Sequence, residues 1–289
     1  MNLDTAIAFK ESLDRGQDIR REMQASMRRY HELSQSPERK RPFEPGKTRI
    51  NYSAYIFGEE ERLNLLDVAL DYWLTAGRWT QEFEAKMKAF FGSRDFLLVN
   101  SGSSANLLIL ATLCSPNVAG HLNLGDEVII PALGFPTTLA PIVQCGLVPV
   151  FVDVELGTYS PSTRMLRDAT ETFSLNGALV LPHPLGLPFD ALFAQKLVRE
   201  IDWWLLEDGC DALGATFDGR LVGTFGAMSS LSHYPAHHIT AGQGGSVVVN
   251  SPKVTVAARS ISEWGRSCYC EPGKSNTCGK RFDWDFEGM

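Results

Sequence analysis

The sequence EVIIPALGFPTTLAPIVQCGLVPVFVDV, residues 127–154, reads as strand, helix, strand. Glu127–Pro131 and Val148–Val154 are short β-branched apolar runs, the pattern of strands buried on both faces, and the segment between them is of helix length. The alternation recurs outward from there. Similar runs occupy Phe96–Asn100, Ala178–Pro182, Trp203–Glu207 and Val247–Asn250, separated mostly by amphipathic segments long enough for helices. This predicts an α/β fold with a mostly parallel sheet flanked by helices. A sheet of that kind carries its ligands at the carboxyl ends of its strands, so the residues just after each run are the place to look for chemistry.

Before the first run, apolar residues recur at three and four positions over Gly58–Gly77 and Thr80–Phe91, which predicts two amphipathic helices stopped by Gly77 and Gly92. Residues 1–45 read as a charged N-terminal helix, to about residue 34, followed by a linker broken by Pro37, Pro42 and Pro45. The domain proper is then expected at 46–289.

Composition excludes several classes. The net charge of −7 comes without any basic block interleaved with aromatics, so nucleic acid is not an expected partner. The N-terminus MNLDTAIAFKESLDRGQDIRREM has no apolar signal core, and no run approaches the roughly 20 apolar residues that span a bilayer. The expectation is a cytoplasmic protein without a membrane partner. Six cysteines in 289 residues are too sparse for a disulfide scaffold, and in a reducing compartment a cysteine cluster points to metal or redox chemistry.

Two motifs follow strand ends, and a third precedes the last run. Asn100-Ser-Gly-Ser-Ser-Ala-Asn106 is a small, hydroxyl-rich turn opening a helix, where free N–H groups and the helix dipole favour a phosphate. A plain serine N-cap reads the same way. Asp208 ends the run from Trp203 in Glu207-Asp-Gly-Cys-Asp211, placing an acid where it could pair with a protonated pyridine nitrogen or simply cap a turn. The third is Ser232-His-Tyr-Pro-Ala-His-His-Ile-Thr-Ala-Gly-Gln-Gly-Gly245.

With that third motif the sequence resembles the DegT/DnrJ/EryC1/StrS sugar aminotransferase family, from about Gly46 to Gly288. The resemblance implies the PLP-dependent transferase type I (aspartate aminotransferase-like) large domain. In the family's aminotransferases the lysine that binds PLP lies five positions after a serine; here His237 stands there, and no lysine occurs between Lys196 and Lys253. An imidazole cannot form a stable Schiff base, so the cofactor implied is noncovalent PMP, with His237 as a base whose ordinary pKa of about 6.5 suits proton removal near neutrality. A lone histidine in a loop is otherwise more often structural.

By the same residue-wise comparison, Ser103, Ser104 and Ser232 match phosphate-binding positions, Phe135 matches the aromatic that stacks on the pyridine ring, and Asp208 matches its pyridinium partner. Asp211 and Tyr234 replace histidines of the aminotransferases and read as specificity positions. Cys210, Cys268, Cys270 and Cys278 are separated by 57, one and seven residues. That spacing, within the stretch Trp264–Phe282, resembles the 2Fe-2S ligand set of the family's 3-dehydrases. Four cysteines also suit structural zinc. Cys114 and Cys145 fall outside the pattern and read as core.

The resemblance therefore implies dehydration at carbon 3 of a sugar nucleotide, CDP-4-keto-6-deoxyglucose, in deoxysugar and lipopolysaccharide synthesis. Electrons would come from a flavin/iron-sulfur NAD(P)H-dependent reductase, and the enzyme would be a homodimer. A PLP-dependent aminotransferase and an inactive metal-binding fragment are the alternatives, the latter because the chain stops at Met289, where the family's smaller C-terminal domain would follow.

Overall fold

The computed structural model describes residues 3–34, 42–53, 57–172, 176–268, 270 and 277–284. Pro37 with the rest of linker residues 35–41, and residues 269 and 271–276 of the cysteine stretch, lie outside them. The chain forms two compact units, residues 1–77 and 78–289.

The first unit is a helical pair, α1 (Leu3–Leu33) and α2 (Glu59–Asp71). Arg20 reaches Asp67 and Asp71 at 3.2 and 2.7 Å, while Arg28 reaches Glu59 at 2.8 Å, so the helices run antiparallel. The predicted helix to Gly77 ends six residues early. Tyr72 turns left-handed (φ 52°), and the Trp73 indole N–H closes the next turn on the Ala76 carbonyl at 2.9 Å. Gly77 is still required there, because a methyl group would collide with the Trp73 ring.

The second unit opens with α3 (Arg78–Phe91), which stops at Gly92 (φ 61°) as expected. There follow β1 (Asp95–Val99), α4 (Gly102–Leu113), β2 (Glu127–Pro131), α5 (Pro136–Gln144), β3 (Val148–Val152), α6 (Thr163–Thr172), β4 (Gly177–Pro182), α7 (Ala191–Ile201) and β5 (Trp204–Asp208). A small hairpin, β6 (Thr216–Phe217) and β7 (Arg220–Leu221), turns on Asp218-Gly219, both at positive φ, the residues such a two-residue turn demands. The chain closes through β8 (Met228–Ser232), β9 (Gly245–Val249) and α8 (Thr255–Ser262).

Seven strands form one sheet in the order β1-β9-β8-β5-β4-β2-β3. Only β9 is antiparallel to its neighbours; the other pairings are parallel. The mostly parallel α/β fold expected from the sequence is the fold observed. Successive strand residues face opposite ways. Val128, Ile130, Val180 and Leu206 pack with Ala105, Leu108 and Ile109 of α4 and Ala258 and Ile261 of α8, whereas Ile129, Leu179, Leu181 and Leu205 pack with Leu166 of α6 and Ala194, Leu197 and Val198 of α7. On that second face α3 covers Phe96 and Val248 with Met87 and Phe91. Arg259 of α8 holds Asp95 through two nitrogens, at 2.7 and 3.1 Å, and Glu84 at 3.1 Å, which ties α8 and α3 to β1.

Sequence reading missed the short β6–β7 hairpin and, in the main sheet, β8. Its sequence, MSSLS, lacks the β-branched run of its neighbours, yet Ser229 and Ser230 are wholly buried between β5 and β9.

Candidate active site

At the carboxyl end of the parallel strands lies a cavity of about 580 Å³, a size suited to a small organic ligand. Its wall includes Ser103, Phe135, Asp208, Cys210, Asp211, Ser232, Tyr234 and His237. No lysine is among the described residues that line it.

Asp208, at the tip of β5, sits at its floor and is 6% exposed. One carboxylate oxygen accepts from the Thr138 hydroxyl (2.7 Å) and the Asn106 amide (3.0 Å). The other accepts from the Ser230 hydroxyl (3.1 Å) and the Cys210 N–H (3.3 Å). All four donors are neutral, so the carboxylate is held rigidly while its charge meets no cation among the described residues. Such a group at a cavity floor suits a cationic N–H of a ligand. Its neighbour Glu207 points to the opposite face of the sheet. There it accepts backbone N–H groups of Gly223, Phe225 and Gly226 at 2.6–2.7 Å and pairs with His183 at 3.0 Å.

The first turn of α4 forms another wall. Ser101 is its N-cap: its hydroxyl accepts the Ser104 N–H and donates to the Ser104 hydroxyl, both at 3.1 Å. Ser104 is thereby turned to Ser101 and does not line the cavity, whereas Ser103 does and donates to the Thr137 hydroxyl at 3.0 Å. Gly102 must be glycine, since a methyl group would press on both Ser232 and the Cys210 sulfur. Across the cavity, Pro136 at the first position of α5 fixes the start of that helix, leaving Phe135 extended before it and 68% exposed at the mouth.

After β8 the chain makes a turn in which the His237 N–H donates to the Tyr234 carbonyl at 2.9 Å, with Pro235 at the position where its fixed φ suits a β-turn. The turn brings His237 to the cavity wall, its Nδ1 3.2 Å from the Asp211 carboxylate. The nearby His233 serves a different purpose. It is buried, bonds the Ser246 hydroxyl at 2.7 Å, and burial pulls its pKa down to about 4.

The cysteines divide. The sulfurs of Cys268, Cys270 and Cys278 lie within 4.8 Å of one another, with Cys270–Cys278 at 3.2 Å and Cys268–Cys278 at 3.5 Å, and all six cysteines are unbridged. The Thr277 hydroxyl and the Cys278 N–H, each 3.3 Å from the Cys270 sulfur, lower that thiol to about 6, which favours the thiolate a metal binds. Cys210 is not gathered with them. It lies under the first turn of α4, 3.8 Å from the Ser230 hydroxyl, and burial together with Asp208 pushes its thiol well up. Cys114 and Cys145 pack against the main core.

The model of the DegT/DnrJ/EryC1/StrS aminotransferase family matches residues 56–282. The chain belongs to that family. Among the curated DegT/DnrJ/EryC1/StrS-like relatives, the dTDP-4-dehydro-2,6-dideoxy-D-glucose 3-dehydratase of Saccharopolyspora spinosa is 46% identical, over 92% of this chain and 57% of the relative. The lipopolysaccharide biosynthesis protein RfbH of Salmonella typhimurium is 42% identical, over 92% and 60%. The chain thus spans somewhat over half the length of these relatives. Among solved structures, the Escherichia coli GDP-4-keto-6-deoxy-D-mannose-3-dehydratase with bound hydrated PLP superposes with a TM-score of 0.69 at 31% identity, covering 74% of this chain and 54% of that one. Another GDP-4-keto-6-deoxymannose-3-dehydratase, with a trapped PLP-glutamate geminal diamine, gives 0.76 at 27% identity, over 83% and 64%. Sugar dehydratases and sugar aminotransferases both occur among the relatives. No helix among the described residues is long and apolar enough to cross a membrane.

Sequence reading missed the residues that hold Asp208. Asn106 and Thr138 fall in the quoted motifs, but 102 and 70 positions from the acid they bind, and nothing local signals that pairing.

Proposed function

We propose that this chain is the cofactor-binding part of a PMP-dependent sugar-nucleotide 3-dehydrase, acting on CDP-4-keto-6-deoxyglucose in deoxysugar synthesis for lipopolysaccharide. One observation carries the reading: the cavity that offers Asp208 to a cationic ring nitrogen presents His237, and no lysine among the described residues, to the ligand. The relatives named as 3-dehydratases, and the PLP seen in solved neighbours, support it.

The residues present fit PMP. The uncompensated Asp208 carboxylate would take the ring N–H, Phe135 would cover a ring face, and the start of α4 with Ser103 and Ser232 would take the phosphate, Ser104 joining them only if it left Ser101. When bound, PMP supplies an amine that engages the 4-keto group and a ring that draws electrons away from the sugar. His237 would supply a base at the cavity wall, positioned to take up a proton from the bound cofactor so that the hydroxyl at carbon 3 could leave. Asp211 and Tyr234, beside it on the wall, bear on which sugar is accepted.

Cys268, Cys270 and Cys278, which lie together, would supply three of the four thiolates of a 2Fe-2S centre, with Cys210 the fourth by spacing although it is not gathered with them. Cluster assembly therefore requires the three-cysteine turn and Cys210 to meet. The centre would pass single electrons from a flavin/iron-sulfur NAD(P)H-dependent reductase, and a second copy would complete a homodimer.

Anaerobic reconstitution tests the proposal, by iron and sulfide per chain and by water loss from CDP-4-keto-6-deoxyglucose with added PMP. Two irons and two sulfides with PMP-dependent dehydration are expected; tight zinc without iron, or transamination in place of dehydration, would overturn it.

A further inference from the structure

Asp211 reaches His237 from a turn of its own. The Ala212 N–H closes on the Gly209 carbonyl at 3.0 Å, so Asp211 follows directly from the tip of β5. The next element of the wall braces it: Gly186 comes so near the Asp211 carbonyl that a methyl group there would stand 3.2 Å from that oxygen. On the other side, the Tyr234–His237 turn fixes the backbone that carries the imidazole. The two side chains then meet between two constrained turns, carboxylate oxygen to Nδ1, at 3.2 Å.

A neutral imidazole carries its proton on one nitrogen, and the hydrogen bond made by one ring nitrogen decides the state of the other. A carboxylate can only accept, so the pair favours a proton on the nitrogen that faces it. Asp211 makes no other ion pair among the described residues, and neither its carboxylate nor Nε2 of His237 makes a hydrogen bond among them. The bare lone pair is therefore left on Nε2, on a ring that lines the cavity.

We propose that Asp211 is a positioning residue for His237: its carboxylate fixes the Nδ1–H tautomer and the ring's orientation, leaving Nε2 as the proton acceptor toward the bound ligand. The use of that acceptor in catalysis rests on the proposed function, whereas the tautomer itself does not. A base present in the wrong tautomer offers an N–H where a lone pair is needed, so the pairing determines whether His237 can act at all.

The test is a measurement of histidine tautomers in the whole chain, labelled with ¹⁵N-histidine and studied at about pH 8.5, where an ordinary imidazole is neutral. Two-bond proton–nitrogen couplings of His237 are expected to report Nδ1–H in the wild type and a shift toward Nε2–H in Asp211→Ala, with Asp211→Glu recovering part of the Nδ1–H population. In turnover, Asp211→Ala is expected to lower kcat by roughly 10²-fold with KM within about twofold, the signature of a lost transition-state contribution. A wild-type His237 in the Nε2–H form, or a tautomer unmoved by Asp211→Ala in a folded variant, would overturn the proposal. The tautomer shift without dehydration in the wild type would sustain the pairing and sink the proposed reaction.

Discussion

Gly245 and Ser101 meet backbone to backbone. A methyl group on Gly245 would occupy the space of the Ser101 carbonyl and the Gly102 nitrogen, so the start of β9 and the start of α4 are as close as two chains can come. Gly245 pairs with both Val99 and Ser232, the last residues of the strands on either side. Its missing side chain is what lets the first turn of α4 close down on the sheet.

Gly245→Ala is therefore expected to lower stability by roughly 1–3 kcal/mol through overpacking, and to weaken PMP binding by displacing α4. Urea unfolding and a PMP titration check both. Wild-type values in each would show that the close approach is dispensable.

His233 makes stability acid-sensitive. Its folded pKa of about 4, set by burial, lies below the roughly 6.5 of an exposed imidazole, so the unfolded chain takes up the proton first. Its contribution to stability is complete above about pH 6.5 and is lost as pH falls toward 4, by at most on the order of 3 kcal/mol. Unfolding free energies at pH 7 and pH 4.5 should differ less in His233→Gln than in the wild type; equal differences would contradict this account.

Glu207 is a structural acid beside the acid at the cavity floor. Its oxygens take three backbone N–H groups and His183, all in the interior. An amide in its place turns an NH₂ group against those donors, so Glu207→Gln is expected to cost roughly 3 kcal/mol or more. A change in chemical stability of less than about 0.5 kcal/mol would refute the assignment.

The absence of lysine among the described residues that line the cavity gives a chemical prediction. Wild-type chain treated with PLP and then borohydride should carry no covalent cofactor in the cavity, whereas His237→Lys should be labelled at residue 237 by a stable secondary amine. Peptide mapping by mass spectrometry reads the outcome. Labelling of a wild-type lysine at the cavity would favour an aminotransferase.

Much of the fold was legible because burial on both faces leaves an unbroken apolar signature. Six of the seven sheet strands carry it, within a residue or two at their ends. The seventh, β8, does not, because Ser230 is committed to Asp208 and Ser229 is buried on the opposite face against Gly223. The end of α2 was misplaced for a local reason: Tyr72 accepts a left-handed conformation that sequence reasoning reserves for glycine. In the site, Ser103, Phe135, Asp208, Asp211, Ser232, Tyr234 and His237 line one cavity, and each follows a strand end or opens a helix. Ser104 differs because Ser101 takes its N–H, a choice between adjacent serines that spacing alone leaves open. The four-cysteine spacing is likewise silent on how near Cys210 comes to the other three.

The central claim is that His237 moves a proton at the methylene of bound PMP. Its most direct measurement is deuterium uptake at that methylene in D₂O, followed by mass spectrometry in the presence of CDP-4-keto-6-deoxyglucose. Uptake of one deuterium by the wild type and its loss in His237→Asn is the result expected. No uptake by the wild type, or uptake undiminished in His237→Asn, would contradict it.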